Sequence, residues 1–216
     1  MRQTQTKRRI LTKQKMDLFT YLALGDSYTI GEAVLLQNNF PYQTIQLLRY
    51  KEMNAAAPEI IAKTGWTTGE LLEAIKDYKF LPQYDFVSLL IGVNNQYRGI
   101  SIEVFKNDLE QLIVQAVALA GDRTERVAIL SIPDYSHTPF AQSFNQEKIK
   151  KEIGDFNKLN KELAFQYKLH YIEVQGPGID SNNPDLIAPD GLHPSEKEYG
   201  LWSKNLSEVM FNSAKR

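Results

Sequence analysis

The chain has 216 residues, 43% hydrophobic and 24% charged, the proportions of an ordinary globular domain and not of a disordered or fibrous chain. It contains no cysteine and three histidines, His137, His170 and His193. Disulfide frameworks, thiolate metal sites and cysteine nucleophiles are therefore excluded, and any imidazole chemistry must use one of three residues. The net charge of −1 is unevenly spread. Residues 1–16 carry Arg2, Lys7, Arg8, Arg9, Lys13 and Lys15 with no acid, which leaves 19 bases against 26 acids in the remainder. The basic stretch reads as a solvated, disordered tail over 1–16, ahead of a single domain over 17–216. An acidic body without a basic stripe speaks against nucleic acid as a partner. No apolar run is long enough for a transmembrane helix and none precedes the domain as a secretory signal would, so a cytoplasmic location is expected.

Short apolar runs alternate with longer segments of helical periodicity along the body. Phe19–Leu24 reads as a first strand ending at Gly25, followed by a helix over Pro41–Glu52. Glu59–Ala62 is a second strand, and a helix runs from about Gly69 to Lys79. Asp85–Ile91 is almost unbroken apolar sequence, as expected of a central strand buried on both faces. Ser101–Ala120 has apolar residues at helical spacing, with Gly121 as a stop. Arg126–Ile132 is a fourth strand, Glu147–Tyr167 a charged helix, Tyr171–Val174 a fifth strand and Ser195–Met210 a final helix. Strands and helices in this alternation predict a parallel α/β sheet covered on both faces. The longest irregular stretch, Gln175–Leu192, is long enough to suggest a functional loop.

Ligands of open α/β sheets bind beyond the carboxyl ends of the strands, which selects a short set of residues. The first strand ends in Gly25-Asp26-Ser27, the second in Thr64-Gly65-Trp66, the third in Gly92-Val93-Asn94-Asn95 and the fourth in Pro133-Asp134-Tyr135-Ser136-His137. The long loop carries Asp190-Gly191-Leu192-His193. Asp190 and His193 stand three apart, so one tight turn can bring the carboxylate to the imidazole and leave Nε2 as a general base. A serine at a strand-to-helix turn is well exposed for nucleophilic attack, and an asparagine amide is a neutral donor for an oxyanion. Taken singly, each has a plain structural reading: a cap, a turn glycine, a turn asparagine, a polar loop. The G-x-S-x-G elbow is absent.

Taken together and in order, Gly25-Asp26-Ser27, Gly65, Gly92-x-Asn94 and Asp190-x-x-His193 resemble the SGNH, or GDSL, hydrolase family over roughly Tyr21–Trp202. The resemblance implies a flavodoxin-like three-layer α/β/α sandwich with a five-stranded parallel sheet in the order 2-1-3-4-5. It implies Ser27 as nucleophile, His193 as general base, Asp190 as its orienting carboxylate, and an oxyanion hole of Ser27, Gly65 and Asn94. The implied activity is a serine ester hydrolase of esterase, lipase or acylhydrolase type acting through an acyl-enzyme on a small-molecule, lipid or carbohydrate ester, with no metal and no cofactor. An acyltransferase with the same triad and a non-catalytic binding module of the same fold are the alternatives. One position departs from the pattern, since Asn95 stands where the family usually has aspartate. Trp66, Asn95, Tyr97, Asp134, Tyr135 and His137 are candidates to line the pocket, Asp134 is a second possible partner of His193, and His170, at the amino end of the sheet, is expected to be structural.

Overall fold

Three apolar runs, Tyr21–Gly25, Phe86–Leu90 and Val127–Leu130, are buried along their whole length. No face of these strands is left for water, so helices must cover both sides. In the computed structural model, which describes residues 18–174, 176 and 184–215, they form the centre of a five-stranded parallel sheet. The strands are β1 (Tyr21–Gly25), β2 (Glu59–Ala62), β3 (Phe86–Leu90), β4 (Val127–Leu130) and β5 (His170–Ile172), in the order β2-β1-β3-β4-β5. The fold expected from the sequence is thus the fold observed. The basic stretch 1–16, Gln175 and residues 177–183 lie outside the described residues.

The seven α-helices among the described residues are α1 (Ser27–Ile30), α2 (Phe40–Tyr50), α3 (Thr68–Lys76), α4 (Val93–Tyr97), α5 (Ile102–Leu119), α6 (Gln146–Gln166) and α7 (Glu196–Ala214). Helix α2 packs on α7, and α3 on α5, which also meets α6. Each long helix starts at a side-chain cap, such as Asn39, Thr67, Ser101, Asn145 or Ser195, worth about 1 kcal/mol apiece. Fully buried large side chains such as Trp202, Phe40, Phe86, Phe105 and Leu24 each contribute roughly 1.5–3 kcal/mol of burial. Among the described residues no helix is long and apolar enough to cross a membrane.

The two shortest helices follow the ends of β1 and β3 and carry Ser27 and Asn94. Helix α1 begins directly after β1 because Asp26 caps it, its Oδ1 accepting from Tyr28 N at 3.0 Å. Gly25 is required for that abrupt turn. A Cβ there would sit 2.1 Å from Thr29 Oγ1 and 2.4 Å from the Leu90 carbonyl oxygen, so any side chain would push α1 off the strand end. At the opposite end of the sheet, His170 Nε2 meets the Glu125 carbonyl at 3.0 Å and Ser213 Oγ at 3.2 Å, and its ring stacks on Phe86. These contacts are structural.

Candidate active site

Ser27 is the first residue of α1, 5% exposed, at the carboxyl end of β1. Its N–H, at the start of the helix, has no acceptor among the described residues, whereas the next three amides are taken by Asp26. The sequence places His193 opposite it by means of a small hairpin. Ile187 and Pro194 form an antiparallel bridge, Ala188 N donates to the His193 carbonyl at 2.8 Å, and Gly191 N donates to the Ala188 carbonyl at 3.0 Å. Asp190 locks the turn from inside: its Oδ1 accepts from both Leu192 N and His193 N at 3.0 Å.

The other oxygen of Asp190 lies 2.6 Å from His193 Nδ1. Partial burial works to raise the Asp190 pKa, but the hydrogen bonds from the His193 ring and the two backbone amides outweigh it and the net shift is downward. A carboxylate can only accept, so Nδ1 carries the hydrogen and Nε2 is left with its lone pair. Tyr28 meets the imidazole edge-on, with ring centroids 5.3 Å apart, and completes its seating.

Ser27, Asn94 and His193 line one cavity of about 140 Å³, with Val93, Tyr97 and Tyr135 on its wall. Tyr28, Phe140 and Leu192 complete its lining; these three and Val93 were not among the residues expected to line it. Ser27 Oγ and His193 Nε2 make no direct hydrogen bond, although both side chains line this cavity. At the mouth, Tyr97, Phe140 and Phe144 form an aromatic cluster, with centroids 5.4–6.2 Å apart. The turn that carries Phe140 is tied to the histidine hairpin through Phe140 N and the Gly191 carbonyl at 3.0 Å.

Asn94, in α4, donates one amide hydrogen to the Trp66 carbonyl at 3.0 Å. An amide nitrogen has two hydrogens, so one remains for a ligand. Gly65 lies in the same loop as Trp66, outside the lining of the cavity. Its φ of +83° suits a residue without Cβ, and its N–H has no acceptor among the described residues.

Four of the other candidates do not line the cavity. Asn95 is buried and spends its amide on Thr68. Asp134 turns back to accept from Ser136 N at 2.9 Å, so its carboxylate serves its own turn; the histidine's partner is Asp190. His137 is exposed, and Trp66 is half-buried and contributes its carbonyl to Asn94. Among the described residues no group of three or more His, Asp or Glu side chains is placed to hold a metal ion.

Behind Ser27 sits a second carboxyl. Asp26 is fully buried, and its Oδ2 has no partner among the described residues. Burial pushes its pKa from an ordinary 3.8 up to about 7. A raised folded-state pKa means that the folded protein holds this proton more tightly than the unfolded chain. The resulting stability is fully present below about pH 4 and is lost as pH rises through 7, a swing of about 4 kcal/mol. Asp26→Asn keeps the acceptor for Tyr28 N and removes the titration. The stability advantage of wild type over this variant is expected to shrink by about that amount between pH 4 and pH 8, measured by urea unfolding at each pH. A difference independent of pH would contradict it.

These features agree with the comparisons to known proteins. Residues 23–201 match the model of the GDSL-like lipase/acylhydrolase family, and the chain belongs to that family. Solved structures with the same fold include the psychrotrophic esterase EstA of a Pseudoalteromonas species, 16% identical with a TM-score of 0.65 over 91% of this chain and 99% of the esterase. The acetylxylan esterase Axe2 of Geobacillus stearothermophilus is 16% identical with a TM-score of 0.68, covering 89% of this chain and 94% of Axe2. The lipase Lip_vut3 from a goat rumen metagenome is 20% identical with a TM-score of 0.70, covering 88% and 97%. No protein of curated function matches the sequence.

Proposed function

We propose that the protein is a serine esterase that cleaves a small acyl ester through an acyl-enzyme on Ser27. The observation that carries this reading is the 2.6 Å contact of Asp190 with His193 Nδ1, which leaves Nε2 basic in the cavity that Ser27 also lines. In the first half-reaction His193 Nε2 takes the Ser27 hydroxyl proton as Oγ bonds to the ester carbonyl carbon. The negative charge that forms on the carbonyl oxygen is met by the N–H groups of Ser27 and Gly65 and the free hydrogen of Asn94 Nδ2. Collapse breaks the bond to the alcohol oxygen, which leaves with the proton from His193. Water then gives a proton to His193 and attacks the acyl carbon; the acid leaves as Oγ regains its proton. Every step uses only the chain, the ester and water. The acidic body gives no reason to invoke nucleic acid.

The cavity supports a limit on the acyl group. The cavity measures about 140 Å³, is open at its mouth and has mostly aromatic and aliphatic walls; for scale, an enclosed apolar space of about 150 Å³ holds a benzene-sized guest. Groups up to about six heavy atoms should enter it whole. Hydrolysis of p-nitrophenyl esters from acetate to decanoate is expected to peak at four carbons or fewer and to fall steeply beyond six. Failure to hydrolyse any member would overturn the esterase reading; an optimum at eight or ten carbons would overturn the size limit alone. Adding alcohols to the same assay separates hydrolysis from acyl transfer, and hydrolysis is expected to dominate.

A further inference from the structure

The proposed oxyanion donors lie on two segments far apart in the sequence: Gly65 in the loop between β2 and α3, Asn94 in α4. Their separation depends on what joins the loop to the helix. At the surface, Arg98 pairs with Glu70 at 3.2 Å and donates to the Gly65 carbonyl. Both side chains of that ion pair are about half exposed, and such pairs are worth little in water. Asn94 Nδ2 itself donates to the Trp66 carbonyl at 3.0 Å, and the fully buried joint beside it is Asn95, 1% exposed. Its Oδ1 accepts from Thr68 N at 3.0 Å, and its Nδ2 donates to Thr68 Oγ1 at 2.7 Å. Thr68 Oγ1 in turn donates to Asp108 Oδ2 on α5 at 2.8 Å.

The proton count along this chain is fixed. A hydroxyl has one hydrogen, and here it is directed to Asp108, whose carboxylate only accepts. Thr68 Oγ1 must therefore receive a hydrogen from position 95, while the same side chain must accept one from Thr68 N. Of an amide and an ionised carboxylate, which share this length and shape, only the amide does both. A carboxylate at 95 would set two acceptors against one hydroxyl proton.

We propose that Asn95, Thr68 and Asp108 form a positioning relay that holds Gly65 N–H and Asn94 Nδ2 at the separation needed to share one oxyanion. None of the three touches the substrate; they act through the loop and the helix that do. The relay stores its negative charge on α5, which is why an amide suffices next to Asn94. This inference rests on the esterase reading above.

The test is a swap of the two ends. Asn95→Asp alone is expected to lower kcat for a p-nitrophenyl ester about 10- to 100-fold with KM within about threefold, because a displaced donor weakens transition-state binding more than substrate binding. Asn95→Asp combined with Asp108→Asn reverses the polarity of the relay and is expected to return kcat to within about threefold of wild type. Thr68→Val removes the hydroxyl without adding charge; it is expected to show the same loss, and Asp108→Asn added to it is expected to change nothing further. All rates are taken below the thermal midpoint of each variant, so that a merely structural role would shift the midpoint and leave kcat alone. If Asn95→Asp does not fold, the double variant and Thr68→Val carry the test. Wild-type kcat in Asn95→Asp or Thr68→Val, or a double variant slower than about threefold below wild type, overturns the relay. Ester hydrolysis by wild type with such results leaves the esterase reading standing; its absence from wild type overturns both.

Discussion

Replacing Ser27 by alanine is expected to lower ester hydrolysis by about 10⁴-fold or more, with the thermal midpoint unchanged. The size follows from the loss of the covalent route: what remains is binding and oxyanion stabilisation of an attack by water, worth about 10³–10⁴ over the uncatalysed reaction. The retained fold follows from the surroundings. Ser27 Oγ makes no hydrogen bond to another described residue, while the contacts that hold α1 come from Asp26 and Gly31. Circular dichroism and thermal melting alongside the assay separate lost chemistry from lost structure. Activity that survives the substitution would remove Ser27 from its role.

Asp190→Asn is the second large effect expected, a fall in kcat of about 10³–10⁴-fold. The substitution is isosteric, and its carbonyl oxygen can still accept from Leu192 N and His193 N, so the hairpin persists. Its amide nitrogen, however, would face His193 Nδ1 with hydrogens. The imidazole must then place its own hydrogen on Nε2, the atom that has to take the proton from Ser27. Asp190→Ala removes the acceptor for three hydrogen bonds at once and should lower stability as well. A loss of activity in Asp190→Asn without loss of stability distinguishes a wrong tautomer from a broken turn. Since the Asp190 pKa is held below its ordinary value, the acid limb of the pH–rate profile is not expected to report this carboxylate.

The sheet was legible because its central strands are written as apolar runs, VAIL without a break and FVSLL broken only by Ser88, between segments of helical periodicity. Helix α3 starts at Thr68, just ahead of the predicted Gly69, because Thr67 and Glu70 form a capping box that the apolar periodicity does not register. Helix α7 continues to Ala214, past the predicted Met210, because Met210 and Ser213 remain buried against the fold. Helices α1 and α4 have four and five residues, too few for periodicity to register. They arise from how the chain turns at the ends of β1 and β3.

The Asp190–His193 contact and the meeting of Ser27, Asn94 and His193 at one cavity follow from short motifs at strand ends and in one tight turn; the roles proposed for them rest on that geometry. Cavity walls were legible only where an aromatic side chain stood beside a motif, as with Tyr97 and Tyr135. Phe140 and Leu192 reach the cavity through the packing of the 139–143 turn on the histidine hairpin, a contact between segments that no pattern connects. The same holds for Asn95. Its departure from the family pattern was visible, yet the compensation lies in Asp108, which meets it only through Thr68 and the packing of α3 on α5.

The proposed chemistry requires that the acyl group be carried on Ser27 Oγ. The most direct measurement is stoichiometric inactivation by an alkyl fluorophosphonate, followed by mass spectrometry of the digested protein. The account predicts one adduct per chain, on Ser27, formed in proportion to lost esterase activity and strongly slowed in His193→Ala. An adduct on another residue, or inactivation that leaves Ser27 unmodified, would contradict it.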